Sequence, residues 1–494
     1  GSSTFRASAR TALGAMVSLS TLLCPLFAAA VVAAAGDYGP DALRDEISAL
    51  PGLSAAPWRM FSGYVDVSAP DEKEGTRQMF YWFVESQHAP ATDPVILWTN
   101  GGPGCSGLGG FLGENGPFRV GPGGRELTSN DHAWNKVANM VFIEQPVGVG
   151  FSRANASILY GDAQAAADNH RFVLGFFRRY PQYAQQDFFI SSESYGGHYM
   201  PTLAQSLRAA KDVPQFRGIF LGNPLTYMPY RNHGQYGTAW GHQLLPAPLW
   251  RRYESAGCAT SFPVSPACQN ITGEMDLILG GFDAYALDFD KCGTPAAAGR
   301  HERRQLRRAV LRASRAASEG AGAPALEAEG PYEPCIQDFL HEYLNREDVQ
   351  TAIHVKPGAK WGMCSDSVSD AYDLNDVNAP MMPIWQELIE GGGLNIMIYS
   401  GDDDSVCATL GSQQFVWDLG YGAKPGKAWQ AWKVSDQVAG FVTDFAVPSL
   451  GAFRFATVHG AGHMVPATQP ARSLALLQAF LAKTEDVAKP TVVV

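Results

Sequence analysis

Short apolar runs alternate with longer helical patterns along most of the chain, and this alternation constrains the fold more than any other feature. Two runs, VILW within Val95–Thr99 and MVFI within Met140–Glu144, contain no alternating polar positions. Strands that are buried on both faces of a parallel sheet have this pattern, because helices cover both faces. The sequence therefore predicts an α/β fold. The candidate strands are Tyr64–Val67, Met79–Glu85, Val95–Thr99, Met140–Glu144, Phe188–Ser192, Gly218–Leu221, Ile396–Tyr399 and Phe453–Val458. The candidate helices are 162–180, 201–211, 338–354, 380–390, 410–420 and 468–483.

The alternation breaks at 225–375, and we interpret this stretch as an insertion over the sheet whose cysteines lie in irregular sequence. Within it, 293–331 is rich in Ala, Gly, Pro and Glu, and its subsegment 300–315 carries seven arginines. Two interpretations of that arginine run stay open: a solvated helix face, or a processing site at its two dibasic pairs. We therefore expect 293–331 to be exposed and a candidate for proteolytic excision.

The N-terminus has the pattern of a secretory signal peptide over residues 1–35. Two arginines precede the uncharged, apolar stretch 11–35, which ends in a small-residue cleavage pattern. A membrane anchor is the alternative, since about 20 apolar residues span a bilayer, but Pro25 and the Ala-rich end favour a cleaved signal. No other stretch of sequence is long and apolar enough, so no stable membrane span is expected after cleavage.

The cysteine count, the sequons and the charge indicate the environment of the protein. Of eight cysteines, cleavage would remove Cys24, and seven imply three disulfides and one free thiol in an oxidising compartment. Asn155 and Asn270 each begin a glycosylation sequon. The formal net charge of −11 argues against a general basic surface for nucleic acid. We therefore expect a protein of the secretory pathway without nucleic-acid partners.

Ser194 follows the predicted strand Phe188–Ser192 and precedes a helical stretch. A serine at a sharp strand-to-helix turn is the nucleophile elbow of α/β-hydrolases, whose tight turn requires small residues two positions before and after it. Ser192 and Gly196 meet that requirement. Because Ser- and Gly-rich turns are common, this pattern alone leaves an ordinary turn equally open.

A serine nucleophile needs a base, and the base needs an orienting carboxylate. His463 follows a predicted strand, with His459 as its nearest competitor, and Asp402, Asp403 and Asp404 follow another. Both segments lie just past strand ends, where α/β sheets place their sites. The order serine, acid, histidine is the one that α/β-hydrolases use, but spacing does not separate the three aspartates.

A glycine-rich segment, Trp98–Gly107 (WTNGGPGCSG), follows the strand Val95–Thr99. Glycines allow close approach of the backbone to a substrate, and backbone N–H groups here and after the nucleophile could form an oxyanion hole. A phosphate loop is disfavoured because no lysine follows the glycines, whereas a plain tight turn stays open.

Four motifs together resemble the serine carboxypeptidase family: WTNGGPGCSG, ESYGGHYMP, YSGDDDSVC and HGAGHMVP. They occur in the family's order, and the resemblance extends from about residue 45 to the C-terminus. It implies an α/β-hydrolase fold for 36–494, with a central mixed, mostly parallel sheet, helices on both faces and a large cap insertion at 225–375.

The resemblance implies Ser194 as nucleophile, His463 as base and Asp404 as acid, because the family's acid is the second Asp of a Gly-Asp-x-Asp pattern. The N–H groups of Gly102 and Tyr195 would form the oxyanion hole. The implied binding site for the substrate's terminal carboxylate, with Trp98 as support, consists of Asn100, Gly101, Glu114 and Glu193.

The two glutamates of that implied site would repel a carboxylate if both were ionised. A protonated carboxyl group can instead donate a hydrogen bond, so we expect Glu114 and Glu193 to share a proton and peptides to bind best at acidic pH. Met464 follows the base, and by the resemblance a methionine there favours hydrophobic substrate residues.

The resemblance also implies the disulfide pairing. Cys407 would be the free thiol, and one disulfide would keep the chain joined if it were cut within 293–331. The implied pairs are Cys105–Cys364, Cys258–Cys268 and Cys292–Cys335.

The predicted function is a serine carboxypeptidase, lysosomal, vacuolar or secreted, that acts on peptide and protein C-termini without cofactor or metal. A zinc carboxypeptidase is disfavoured because the chain lacks His-x-x-Glu and His-Glu-x-x-His. An acyltransferase with the same triad is the alternative, although it has no need for the carboxylate-binding residues. A non-catalytic binding protein is a third hypothesis, and a homodimer stays open because dimers occur in the family.

Overall fold

An eleven-stranded sheet forms the centre of the structure, a computed structural model that describes residues 38–53, 56–155, 157–293 and 332–482. Ten strands follow the order β1-β2-β6-β3-β8-β9-β10-β13-β12-β11, and β7 pairs with β2. Pairing is parallel from β6 to β13 along this order and antiparallel at both ends, so the predicted mixed, mostly parallel sheet is confirmed. The strands are β1 (Met60–Asp66), β2 (Arg77–Val84), β3 (Val95–Thr99), β4 (Phe118–Val120), β5 (Leu127–Ser129), β6 (Asn139–Ile143), β7 (Arg153–Ala154), β8 (Phe188–Ser194), β9 (Phe216–Pro224), β10 (Asn395–Gly401), β11 (Gln430–Val434), β12 (Gln437–Phe445) and β13 (Ala452–Val458).

Helices lie on both faces of this sheet. The helices are α1 (Pro40–Arg44), α2 (Gly107–Gly113), α3 (Asp162–Arg179), α4 (Gly196–Ala210), α5 (Met228–Gly241), α6 (Ala247–Ser255), α7 (Pro266–Leu279), α8 (Ile336–Leu344), α9 (Glu347–Ala352), α10 (Asp366–Asp370), α11 (Leu374–Val377), α12 (Met382–Glu390), α13 (Thr409–Asp418), α14 (Val465–Thr468) and α15 (Pro470–Leu481). The predicted helix 338–354 is wrong in one respect, because the chain turns between α8 and α9.

The packing of the central strands explains why their sequences are continuously apolar. In β3, Val95 and Leu97 belong to the hydrophobic core that includes α3 and α4, whereas Ile96 and Trp98 belong to the core that includes α2 and α15. Side chains alternate between the two faces of a strand, so a strand covered on both faces requires apolar residues at every position.

The structure of the insertion differs from the prediction that its cysteines lie in irregular sequence. Between β9 and the low-complexity segment the chain forms α5, α6 and α7, which share a small core of their own with Tyr236, Tyr253 and Met275. The Cys258–Cys268 disulfide lies in that core. The helices are stable there because they bury apolar surface against one another, not because of their local sequence.

Two earlier expectations fall outside the described residues: the signal peptide at 1–35, and the excision and arginine run within 294–331. Across the described ranges, no helix is long and apolar enough to cross a membrane. The β4–β5 hairpin and the strands β11 and β12 were not expected from the sequence.

Candidate active site

Ser194 is the last residue of β8, and α4 begins two residues later at Gly196. Its φ of +59° is a left-handed conformation that residues other than glycine rarely adopt. A Cβ atom added to Gly196 would lie 2.1 Å from Oγ of Ser192, so the turn has no room for a side chain there. The backbone therefore has the geometry of the predicted elbow.

His463 and Asp404 form a buried hydrogen-bonded pair, with 2.7 Å between Nδ1 and Oδ2. The aspartate also accepts hydrogen bonds from the backbone N–H groups of Val406 and Cys407 and from Nδ2 of Asn223, at 2.7, 3.1 and 2.8 Å. An ionised carboxylate can only accept hydrogen bonds, so the Nδ1 atom that faces Asp404 must carry the proton of the neutral imidazole. Nε2 then keeps its lone pair. That tautomer is the one a general base needs.

The competing residues point elsewhere. Asp402 pairs with His459 at 2.8 Å in an exposed position. Asp403 accepts the backbone N–H of Asp288 at 3.1 Å from each of its two oxygens. The structure thus separates the three consecutive aspartates, and it is the third, Asp404, that accepts the hydrogen bond from His463.

Asn100 joins the two glutamates of the expected carboxylate site. Its Nδ2 donates to Oε1 of Glu114 at 2.7 Å and to Oε1 of Glu193 at 2.9 Å. Its Oδ1 accepts from Nε1 of Trp98 at 3.1 Å and from the N–H of Gly110 at 2.9 Å. Because every polar atom of the amide is used, Asn100 has a single orientation.

Burial raises the pKa values of both glutamates. For Glu193 the rise takes the pKa well above its ordinary value, and the negative charge of Glu114 adds to it. For Glu114, the hydrogen bond from Asn100 and the positive charge of Arg119 oppose the rise. Two buried carboxyl groups that accept from the same amide group therefore hold at least one proton between them at a pH where an exposed glutamate is ionised.

Arg119 stabilises this arrangement, although no sequence pattern indicated it. Its Nη2 donates to the backbone carbonyls of Glu114 at 2.8 Å and Pro466 at 3.1 Å, and Nη1 donates to the carbonyl of Gly113. Burial lowers the pKa of Arg119 to about 10, so it remains a cation at neutral pH. Arg119 thus connects the end of α2 to the segment that follows His463.

Asn223 is a second residue that the sequence did not reveal. It lies at the end of β9 with a φ of +37°, and its Oδ1 accepts the N–H of Gly401 at 3.1 Å. Together with its hydrogen bond to Asp404, this contact fixes the acid relative to the sheet. A positive φ before Pro224 has no signature that can be read from a single sequence.

One cavity of about 170 Å³ brings these groups together. Its lining includes Ser194 and His463 together with Asn100, Glu114 and Glu193. Residues of the insertion and of the loop after the base complete the wall: Tyr285, Tyr332, Ile336, Leu340, Met363 and Met464.

The glycine-rich loop adjoins Ser194 closely. A Cβ atom on Gly101 would lie 2.5 Å from the backbone N of Tyr195 and 2.7 Å from Cβ of Ser194, so only glycine fits. Gly102 has a φ of +114°, which also favours glycine. The loop is fixed to the insertion where the N–H of Ser106 donates to the carbonyl of Met363 at 2.8 Å.

The structure contains the three disulfides that the resemblance implied, and among the described residues Cys407 is the free cysteine. Burial raises the pKa of the Cys407 thiol, so it stays protonated and is a poor nucleophile. Asn155 and Asn270 are both exposed, as glycosylation would require. The disulfide pairs are Cys105–Cys364, Cys258–Cys268 and Cys292–Cys335.

Comparison with known proteins assigns the chain to a family. A model of the family described as serine carboxypeptidase matches residues 51–483, most of the chain. The chain belongs to the serine carboxypeptidase family. It is 37% identical to serine carboxypeptidase-like 33 of Arabidopsis thaliana over 85% of this chain and 87% of that protein. It is 34% identical to serine carboxypeptidase 24 of the same plant, over 90% of this chain and 93% of that protein.

A solved structure supports the fold. The crystal structure of Kex1(delta)p, a prohormone-processing carboxypeptidase from Saccharomyces cerevisiae, superimposes with a TM-score of 0.70 at 20% identity. The superposition covers 89% of this chain and 96% of the Kex1(delta)p chain. The serine carboxypeptidase therefore has the expected α/β-hydrolase fold, and it belongs to the serine-type peptide hydrolases.

One His–Asp–Asp cluster lies behind the loop that carries Asp404. Among the described residues, His242, Asp288 and Asp403 bring ligand atoms within 4.8 Å of one another. A hydrogen bond to Asp403 raises the pKa of His242 to about 9, so at neutral pH the imidazole is a cation, which does not coordinate a metal. The cluster has the charge pattern of an ion pair.

Glu144, directly after β6, is a buried carboxylate beneath the glycine-rich loop. It accepts hydrogen bonds from Oγ of Ser106 at 2.6 Å, from Nε1 of Trp361 at 2.8 Å and from the N–H of Phe151. Burial nevertheless raises its pKa to about 7. The folded protein therefore binds this proton more tightly than the unfolded chain does.

This difference predicts stability that falls as pH rises. Between about pH 4.5, the ordinary glutamate value, and about pH 7, the folded state carries the extra proton, and the free energy of unfolding should decrease by up to about 3 kcal/mol. Urea unfolding at several pH values measures the slope, and Glu144→Gln should make it shallower. The exposed Glu274→Gln is the control, and an equal slope in all three proteins would contradict the prediction.

Proposed function

We propose that this serine carboxypeptidase releases C-terminal amino acids from peptides through Ser194, His463 and Asp404. The observation that carries the proposal is that one cavity is lined both by Ser194 and His463 and by Asn100, Glu114 and Glu193. A substrate whose terminal carboxylate binds to this cluster would present its last peptide bond to the nucleophile in the same cavity.

Acylation uses the tautomer that the buried pair maintains. Nε2 of His463 takes the proton of the Ser194 hydroxyl as Oγ attacks the carbonyl carbon, and Asp404 stabilises the resulting imidazolium. The N–H groups of Gly102 and Tyr195 would donate to the oxyanion. The imidazolium then gives its proton to the departing amine, and the terminal amino acid leaves.

Deacylation repeats these steps with water. His463 accepts a proton from a water molecule, hydroxide attacks the acyl carbon, and the tetrahedral intermediate collapses as the proton returns to Oγ of Ser194. Burial raises the pKa of the Cys407 thiol, so it stays protonated, which favours Ser194 as the nucleophile.

The raised pKa values of the two glutamates support this role for the cluster. A carboxyl group of the pair that keeps its proton could donate to a substrate carboxylate, and the backbone N–H of Gly101 could add a donor. An internal peptide segment presents no charge to satisfy these donors. Desolvating them without a partner would cost binding energy, which disfavours endopeptidase cleavage.

The side-chain wall favours a hydrophobic terminal residue. The lining of the same cavity includes the apolar side chains of Met464, Met363, Ile336 and Leu340. A Cβ atom on Gly113 would meet Ile336 and Leu340 at 3.6 and 3.9 Å, which is ordinary van der Waals distance. The glycine leaves the space into which the side chain of the released residue would extend.

Filling that space predicts a change in specificity. Gly113→Leu should slow the release of C-terminal phenylalanine about tenfold relative to alanine, because the new side chain occupies the volume of the larger residue. Values of kcat/KM for matched blocked dipeptides measure the ratio. Gly273→Leu on α7, where an added Cβ meets nothing within 4 Å, is the control. An unchanged phenylalanine-to-alanine ratio in Gly113→Leu would refute this assignment of the pocket.

The pKa shifts support an acidic compartment of the secretory pathway, a lysosome or vacuole, or an acidic extracellular space. The carboxyl groups of Glu144, Glu193 and Asp168 are all buried and have raised pKa values. His242 has a pKa raised to about 9, so its contribution is complete below about pH 6.5 and is lost as pH rises towards 9. All four groups thus stabilise the protein more at lower pH.

Release of free amino acids from an N-blocked dipeptide, followed from about pH 4 to pH 8, tests the proposed function. We expect release at acidic pH and its loss after treatment with an organophosphate directed at serine. The matched peptide amide should be a much poorer substrate. Transfer of an acyl group from an ester donor to an alcohol, without peptide hydrolysis, would overturn the proposal in favour of an acyltransferase.

A further inference from the structure

A buried polar cluster lies directly beneath the elbow, centred on Asp162 at the start of α3. Its Oδ1 accepts the hydroxyls of Tyr372 at 2.8 Å and Tyr195 at 3.1 Å. Its Oδ2 pairs with Nδ1 of His198 at 2.9 Å. Facing a carboxylate, Nδ1 must carry a proton, so three donors converge on one side chain. The proposed acyl transfer does not use any of these groups chemically.

The cluster fixes the ring of Tyr195. On one side the imidazole of His198 stacks on it, with ring centroids 4.5 Å apart and 10° between the planes. The rings of Tyr199 and Tyr372 meet it edge to face at 5.0 and 5.4 Å. With its hydroxyl also bound to Asp162, the Tyr195 side chain has one position, and so does the backbone N–H that follows Ser194.

The same cluster extends to the glycine-rich loop. The hydroxyl of Tyr199 accepts the N–H of Gly104 at 3.3 Å, two residues beyond Gly102. The rings of Tyr199 and Tyr372 pack edge to face at 6.4 Å. Both backbone segments that would provide oxyanion donors are therefore supported from below by side chains grouped around one carboxylate.

We propose that Asp162 is a positioning residue for the oxyanion hole. This inference rests on the proposed function, since it concerns the same transition state. Oxyanion donors are effective because they are oriented before charge develops, and a small displacement of such donors costs about 100-fold in rate. Tyr372 belongs to the insertion, so Asp162 also connects the insertion to the geometry of the hole.

The proposal predicts a loss in kcat without a loss in substrate binding. Asp162→Ala removes the acceptor and should lower kcat about 100-fold while KM stays within about twofold. Asp162→Asn keeps an oxygen for both tyrosine hydroxyls, while a proton shift to Nε2 of His198 accommodates the new amide, so it should retain kcat within about fivefold. Phosphonylation of Ser194 by an organophosphate should slow in parallel with kcat.

Asp168 provides a matched control on the same helix. It is also buried, and it pairs with Arg77 at 2.8 Å, away from the elbow. Asp168→Ala should lower the melting temperature at least as much as Asp162→Ala but leave kcat per folded molecule within about twofold. If Asp162→Ala does not fold, Tyr372→Phe, which removes one hydroxyl only, should still lower kcat about fivefold.

The outcomes separate the two proposals. A wild-type protein that does not hydrolyse blocked dipeptides would refute the proposed function. An active wild type in which Asp162→Ala keeps its kcat, or loses it only in proportion to the unfolded fraction as Asp168→Ala does, would overturn the positioning role. A raised KM with unchanged kcat would also overturn it.

Discussion

Replacement of Ser194 by alanine should lower kcat for a blocked dipeptide by about 10⁵- to 10⁶-fold, the largest single effect that we expect. Water would then have to attack the peptide directly, without the covalent intermediate. His463→Ala should cause a loss of similar size, because an unassisted serine hydroxyl is a weak nucleophile. Asp404→Asn should cost about 10⁴-fold, since the amide favours the wrong tautomer of the imidazole.

A neighbouring serine provides the control for this series. Ser191 is buried in the same strand, and its Oγ donates to the backbone carbonyl of Phe220 at 2.6 Å, away from the cavity. Ser191→Ala should lower stability slightly and leave kcat within about twofold. Single-turnover measurements with each purified variant, checked for folding by circular dichroism, give the comparison. Retention of about one per cent of activity in Ser194→Ala would contradict the assignment of the nucleophile.

The second largest effect that we expect is on KM. For peptides with a free C-terminus, KM should rise steeply with pH. At low pH Glu193 holds the proton that it can donate to the substrate carboxylate. Its pKa is raised by burial and by the charge of Glu114, so the proton is lost only at a pH well above the ordinary glutamate value. Above the upper apparent pKa of the pair, binding should weaken about tenfold per pH unit. Both glutamates are then ionised and repel the terminal carboxylate of the substrate.

Two comparisons make this pH dependence specific to the pair. A peptide amide carries no terminal charge, so its KM should stay within about twofold across the same pH range. Glu193→Gln replaces the protonated carboxyl by a neutral N–H donor, and its KM should depend less on pH. Initial rates at a series of peptide concentrations between about pH 4 and pH 8 measure both. A wild-type KM that does not change with pH would be incompatible with a shared proton.

The central strands and the main helices could be predicted from the sequence because their patterns follow from burial on both faces. The β11–β12 hairpin could not, since it pairs antiparallel at the edge of the sheet. In β11, Trp432 is buried while Ala431 and Lys433 are exposed, so the stretch lacks the continuous apolar run of a central strand. A half-exposed edge strand with few residues gives a weak pattern.

The helices of the insertion were missed for a different reason. Three glycines occur in α5, which reads MPYRNHGQYGTAWG, and glycine lowers helix propensity. Gly234 nevertheless fits against α13, where an added Cβ would lie 2.9 Å from the backbone N of Gly411. Close packing between the two helices, not local propensity, accounts for this helix.

The sequence by itself determined the family, the order of its motifs and the residue types of the proposed chemistry, because these depend on which side chains follow which strands. Only the tertiary structure decided that Asn223 orients Asp404 towards His463, and that burial raises the pKa values of both Glu114 and Glu193. These choices depend on burial and on neighbours separated by many residues, such as Asn100 and Arg119. Hydrogen bonds and pKa values are set by that surrounding space, which a linear pattern does not contain.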